Sequence, residues 1–132
     1  MIFLRNVKIG EPLPELFVPS IDRSVVERYA AASGDSNPLH LDDSYAQSVG
    51  LPRALVHGSY VMGLMERLLR DWWQDVFVRR LEVQFVRPVF YDAALLFTGR
   101  VARISADGMI IRIITKESNS ICCVAAAECS AE

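Results

Sequence analysis

"GSYVMGLMERLLRDWW", residues 58–73, is the stretch whose reading decides the fold. Its apolar side chains at Tyr60, Val61, Leu64, Met65, Leu68, Leu69 and Trp72 recur at spacings of three and four, which is one face of a helix. At ~1.5 Å per residue, about 16 residues extend roughly 24 Å, the width of a small domain. Such a rod has to be covered along its apolar face. The chain that follows changes period. In "RRLEVQFVRPVF", Leu81, Val83 and Phe85 alternate until Pro88 interrupts them. "ALLFTGRVARI" and "GMIIRIITK" flank "SADG", whose Asp107-Gly108 pair signals a hairpin, and "ICCVAAAECS" reads as a final buried strand. A long helix followed by a run of antiparallel strands predicts the α+β class, with the sheet wrapped on the helix.

Composition bounds the rest. At 132 residues, 52% hydrophobic and 23% charged, the chain has the size and apolar content of one domain spanning 1–132, with no repeat, low-complexity tract or linker. The net charge is −2 and the arginines are scattered, so no basic stripe exists for nucleic acid. His57, Glu66, Arg67, Arg70 and Asp71 interrupt the most apolar segment, which excludes it as a membrane span of about 20 residues. The start, "MIFLRNVKIGEPLP", lacks signal-peptide architecture because Arg5 and Lys8 break its apolar run, so a cytoplasmic location is expected. Three cysteines is an odd number, and the adjacent Cys122 and Cys123 should point to opposite faces of a strand. They read as reduced, buried small hydrophobes.

Upstream of the long helix, "IDRSVVERYAAAS" has a one-sided helical pattern, with Ser24 or Asp22 as its cap and Gly34 suited to its end. It delivers the chain to "SGDSNPLH", residues 33–40. Pro38 disfavours helical geometry at Asn37, so a turn is expected there. On a continuous helix, side chains five apart point about 140° from each other. A broken backbone can instead turn Asp35 and His40 toward one point. "LDDSYAQSVG" then reads as a short helix ending at Gly50.

Several chemistries compete for Asp35 and His40. A calcium loop fails because His40 stands at its sixth place and Ala46 at its twelfth. For zinc, Asp35, His40 and His57 are a marginal set without a nearby cysteine. No G-x-S-x-G or glycine-rich phosphate loop occurs. Two readings remain. Asp35 and His40 form an acid/base pair sharing a water, which suits the addition or removal of water; or Asp35 only caps a turn and His40 is a satisfied, half-buried residue. Gly58 opens the long helix, where free N–H groups and the dipole favour developing negative charge and the absence of a Cβ admits a ligand. Alternatively, Gly58 and Gly63 only permit tight packing. His57 reads as a structural partner near the helix start.

"YAAASGDSNPLHLDDSYAQSVG" resembles the hydratase-2 motif of MaoC-like dehydratases and (R)-specific enoyl-CoA hydratases, through Gly34, Asp35, Asn37, Pro38, Leu39 and His40. "LVHGSYVMGLM" is similar to the family's H-G start of its central helix, and "VQFVRPVFYDAAL" to its F-x-x-P-V strand and following turn. The resemblance runs from about Ile9 to the end. It implies a hotdog fold, a long central helix wrapped by an antiparallel sheet, paired as a homodimer or as a heterodimer with a second hotdog subunit. It also implies site roles: Asp35 and His40 hold the catalytic water, the Gly58 N–H serves as oxyanion hole, and Asn37 stiffens the loop.

The implied activity is reversible hydration of a trans-2-enoyl thioester to the (R)-3-hydroxyacyl thioester, on CoA or acyl carrier protein, with no metal or other cofactor. Arg53, Arg79 and Arg87 are candidates for the carrier's phosphates. A partner-dependent subunit and a hotdog thioesterase are the alternatives. Two residues depart from the family pattern. Tyr91 replaces the usual glycine before Asp92, and Glu66 would restrict acyl length if it faced the tunnel, or mean little if it faced solvent beside Arg67 and Arg70.

Overall fold

In a computed structural model, residues 6–130 are described. Residues 1–5, on which part of the signal-peptide reading rests, lie outside them. Strand β1 (Leu16–Val18) leads into helices α1 (Arg23–Ser33), α2 (Pro38–Leu41), α3 (Asp43–Ser48) and α4 (Gly58–Trp72). Strands β2 (Phe77–Phe85), β3 (Leu95–Ile104), β4 (Met109–Glu117) and β5 (Ser120–Ser130) follow. They form one five-stranded sheet in the order β1-β3-β4-β5-β2, antiparallel at every pairing.

The predicted central helix is α4, and its heptad-like stripe is what the sheet covers. Val61, Met65, Leu68 and Leu69 are fully buried against a core that includes Phe97 and Val101 of β3, Ile111 and Ile113 of β4, and Ala125 and Ala127 of β5. Each such side chain contributes about 1.5–3 kcal/mol when withdrawn from water. An isolated helix of this length is marginal in water, so this interface holds α4 rather than its own propensity. The sheet keeps the predicted alternation: Leu95, Phe97 and Val101 point inward on β3, and Met109, Ile111, Ile113 and Thr115 on β4. At the predicted hairpin the Ser105 N–H donates to the Gly108 carbonyl at 2.8 Å. This is the α+β hotdog arrangement expected from the sequence.

Three details differ from expectation. Strand β1 was not anticipated, and pairs with β3 from Leu16↔Phe97 to Val18↔Leu95. Cys122 and Cys123 are both buried rather than on opposite faces. The register slips between Thr115 and Lys116, so that Thr115 pairs with Cys123 and Lys116 with Ile121; Cys122 is the unpaired residue of a bulge, which turns it inward. Third, the expected turn is present at Asn37, which is non-helical (φ −58°, ψ 129°), but it is short, and Pro38–Leu41 then form a one-turn helix. At the end of α1 the expected stop is present: Gly34 takes the left-handed conformation (φ 79°), and its N–H donates to the Ala30 carbonyl. Asp22 occupies the N-cap but makes no cap bond; its carboxylate instead accepts from the Ser20 hydroxyl at 2.8 Å.

Candidate active site

The left-handed turn at Gly34 swings the chain off α1 and places Asp35 in a tight loop. Asp35 Oδ1 accepts from the Asn37 N–H at 3.3 Å, and Asn37 Oδ1 in turn accepts from the Leu39 N–H at 2.9 Å, capping α2. Pro38 at the first helical position fits because its missing N–H has no intrahelical acceptor there. Asp35 therefore does cap a turn, as the plainer reading had it. Its second oxygen, Oδ2, faces His40 Nε2 at 3.8 Å. One carboxylate serves both the loop and the histidine.

His40 is mostly buried, at 15% side-chain exposure, whereas Asp35 is half exposed at 51%. His40 Nδ1 lies 2.9 Å from the Leu55 carbonyl. A carbonyl only accepts, so Nδ1 carries the proton and a neutral ring keeps its Nε2 lone pair toward Asp35. The His40 segment is tied to residues 54–56 a second time by the Leu55 N–H donating to the Leu39 carbonyl at 2.9 Å. That segment is itself fixed by the Val56 N–H on the Val89 carbonyl at 2.8 Å.

Gly58 is the first residue of α4, where an N–H has no partner within the helix. With His40, Leu55, Val56, Val61 and Phe85 it lines an open, largely apolar cavity of about 410 Å³. Asp35 is not among the residues lining this cavity; its Oδ2 lies 3.8 Å from Nε2 of His40, which is among them. Arg87 is at the cavity rim. The Arg53 guanidinium lies 5.2 Å over the Phe90 ring next to it. Arg79 is different: it lines a separate depression with Arg103, Asp107 and Glu128, at the other end of β2 from Phe85, and so is set apart from this cavity by roughly 20 Å of strand. Glu66 pairs with Arg70 at 2.7 Å and is half exposed, which realises the solvent-facing alternative.

His57 is the structural partner near the helix start that the sequence suggested, but with contacts it did not foretell, and a second feature escaped sequence reasoning. His57 is 1% exposed, its Nε2 lies 3.0 Å from the Asp35 carbonyl, and its ring stacks on His40 with centroids 3.8 Å apart and planes 23° from parallel. The sequence signal was only its place before a helix glycine. The second is a carboxylate hub. Asp43 Oδ2 accepts from Arg23 Nη1 and from the Tyr91 hydroxyl, both at 3.0 Å, while Oδ1 accepts from the Ala54 N–H at 2.9 Å. These donations, the Ala54 N–H foremost, hold the Asp43 carboxyl below the usual carboxylate range against the opposing effect of desolvation. Tyr91, noted for replacing a glycine, thus anchors the segment next to Leu55.

Asp35, His40 and His57 bring potential metal-ligand atoms within 4.8 Å of one another. The geometry fits an ion poorly. Each imidazole lone pair lies in its ring plane, so two rings stacked nearly parallel cannot aim at one point, and each already uses one nitrogen on a carbonyl. The cysteines offer no nucleophile either: burial pushes the Cys123 and Cys129 thiols up to about 12 and raises Cys122 as well.

Residues 8–119 match the family described as MaoC like domain. The chain is 32% identical over 94 residues to the fatty acid synthase subunit beta of Saccharomyces cerevisiae, covering 69% of this chain and 5% of that protein. It is 30% identical over 90 residues to the mitochondrial 3-hydroxyacyl-[acyl-carrier-protein] dehydratase of Arabidopsis thaliana, covering 68% of this chain and 53% of that one. The chain therefore spans about half, or far less, of these curated relatives' lengths. Among solved structures, a chain of the ChsH1–ChsH2 complex from Mycobacterium tuberculosis superposes with a TM-score of 0.87 at 21% identity, over 95% of this chain and 98% of that one. At that identity the likeness concerns the fold.

Proposed function

The chain belongs to the MaoC-like domain family, and on that footing we propose that it adds water reversibly across the double bond of a trans-2-enoyl thioester, as a hydratase or dehydratase. The observation that carries this reading is the 3.8 Å gap between His40 Nε2 and Asp35 Oδ2 beside an apolar cavity opened by a helix N-terminus. The gap is too long for a direct hydrogen bond and suits one water donating to both groups. With the acyl chain in the cavity, the Gly58 N–H polarises the thioester carbonyl and stabilises the enolate oxygen as water attacks C3. His40 Nε2 takes a proton from that water, and the Asp35 carboxylate receives it from the imidazolium and gives it to C2, which leaves both groups as they began. The two roles are exchangeable on this geometry, and the chemistry needs neither metal nor redox cofactor. The (R)-3-hydroxyacyl configuration follows the family resemblance.

The substrate reading extends to an acyl group on CoA or acyl carrier protein, whose shared phosphopantetheine arm would pass Arg87 and Arg53. We propose a cytoplasmic location. No helix among the described residues is long and apolar enough to cross a membrane. We further propose that it works as a dimer, with itself or with a second hotdog subunit. The test is loss of the conjugated absorbance of short enoyl-CoA thioesters on adding purified protein. Asp35→Asn and His40→Gln should each lower kcat by about 10²- to 10⁴-fold, the usual contribution of a positioned acid or base, with circular dichroism unchanged. Full activity in either variant would end the assignment.

A further inference from the structure

We propose that His57 is a positioning residue that sets both ends of the Asp35–His40 gap, clamping the Asp35 main chain with one edge of its ring and supporting the His40 imidazole with its face. The proposal rests on the acid/base reading of Asp35 and His40. His57 occupies the N-cap of α4, where a short polar side chain would bond the first turn, yet it makes no cap bond. Its ring turns away from the helix instead. Because the Asp35 carbonyl only accepts, His57 Nε2 must donate, across 3.0 Å. His57 Nδ1 is buried with no hydrogen-bond partner among the described residues, so neither the cap nor simple core filling accounts for an imidazole here. Phenylalanine would fill the space without an orphaned nitrogen.

What a histidine supplies at this position, and neither phenylalanine nor glutamine does, is a flat face and an edge donor together. The face lies 3.8 Å from His40, the ring also meets Tyr29 in an edge arrangement with centroids 4.9 Å apart, and the Tyr29 hydroxyl donates to Ser59 Oγ at 2.8 Å. The Leu55 carbonyl fixes one edge of His40 but leaves rotation about that bond. The stack removes it. One rigid ring thus holds the His40 imidazole and the Asp35 main chain, while the Asn37 N–H on Oδ1 orients the Asp35 side chain across the gap. Displacements near 1 Å in such groups typically cost about 10²-fold in rate, so the arrangement belongs to kcat rather than to substrate affinity.

The chain has only two histidines, so long-range proton–nitrogen NMR correlation resolves both rings. In the wild-type protein His57 should be the Nε2–H tautomer and His40 the Nδ1–H tautomer. His57→Phe keeps the face and loses the donor; His57→Gln keeps a donor and loses the face. Each should lower kcat at least about tenfold with KM within about twofold, and only His57→Gln should give His40 a mixture of tautomers. An Nδ1–H tautomer at His57 in the wild type overturns the proposal whether or not the variants fold. So does kcat within twofold of wild type in both variants. A wild-type protein that hydrates no enoyl thioester would instead sink the functional reading, while the tautomer of His57 would still decide the clamp.

Discussion

A methyl group at position 58 would be welcome to the helix and hostile to the cavity. Alanine is favoured over glycine in helical backbone by up to about 1 kcal/mol, so Gly58→Ala should not weaken α4. The added Cβ would, however, stand 3.0 Å from Phe85 Cζ, at the wall where the proposed reaction brings a thioester carbonyl to the amide. Phe85 is 45% exposed and can yield, so the fold should survive. The expected outcome is an unchanged or slightly raised melting temperature with a fall in kcat/KM of about tenfold or more, the direction of a lost oxyanion contact. Unchanged kcat/KM would remove Gly58 from the site. At this scale the sequence was informative wherever a residue type has few uses. Gly34 and Pro38 announced the break that turns Asp35 and His40 toward each other, because their backbone preferences act locally. His57 was not legible in the same way: its clamp on Asp35 spans 22 positions and its stack on His40 depends on tertiary approach, neither of which leaves a mark in spacing.

At the scale of elements, α2 is too short to hold itself, and the His40 it carries is fixed by what surrounds it. Asp43 gathers α1 through Arg23, the 54–56 segment through Ala54, and the turn after β2 through Tyr91; Arg23 also donates to the Leu41 carbonyl at 2.7 Å, closing the loop at the end of α2. Asp43 is ionised more readily in the folded chain than in the unfolded one, so it stabilises the fold fully above its ordinary titration near pH 4, and that contribution fades as pH falls through its lower folded value. Wild type should therefore exceed Asp43→Asn in urea stability at pH 6, and the difference should shrink by pH 3. An equal difference at both pH values would show that the charge is irrelevant. The long elements, α4 and strands β2 to β5, were legible because each repeats its period several times. Strand β1 has only three residues, too few for alternation to register, and exists because β3 offers an edge. The bulge at Cys122 was equally hidden, since a single inserted residue leaves the apolar run "ICCVAAA" intact while reversing one side chain.

At the scale of the whole molecule, the described residues leave β2 as an outer strand, paired with β5 on one side only. An unpaired strand edge of this length is a template for another chain unless it is blunted by charge, bulge or cover. The side chains here are mixed: Arg80 and Glu82 are charged, but Phe77, Phe85 and Val86 are exposed at 51%, 45% and 55%. Phe85 and Val86 also line the cavity, so whatever covers the edge bears directly on the proposed acyl pocket. This connects the chemistry to assembly: a lone chain offers His40 and Gly58 to an open cavity, and a partner along β2 would shield it, which strengthens every polar contact to the reacting carbonyl. Hydrogen exchange measures this without a mutation. The β2 amides that face β5 should be protected in any state, and those that face outward should be protected only when a second chain pairs there. For a homodimer, outward protection and hydration activity should rise together with protein concentration. For a heterodimer, both should appear only on adding the second subunit. Outward amides that exchange as fast as an exposed loop, in a preparation that hydrates enoyl thioesters at full rate, would show that one chain completes the site alone.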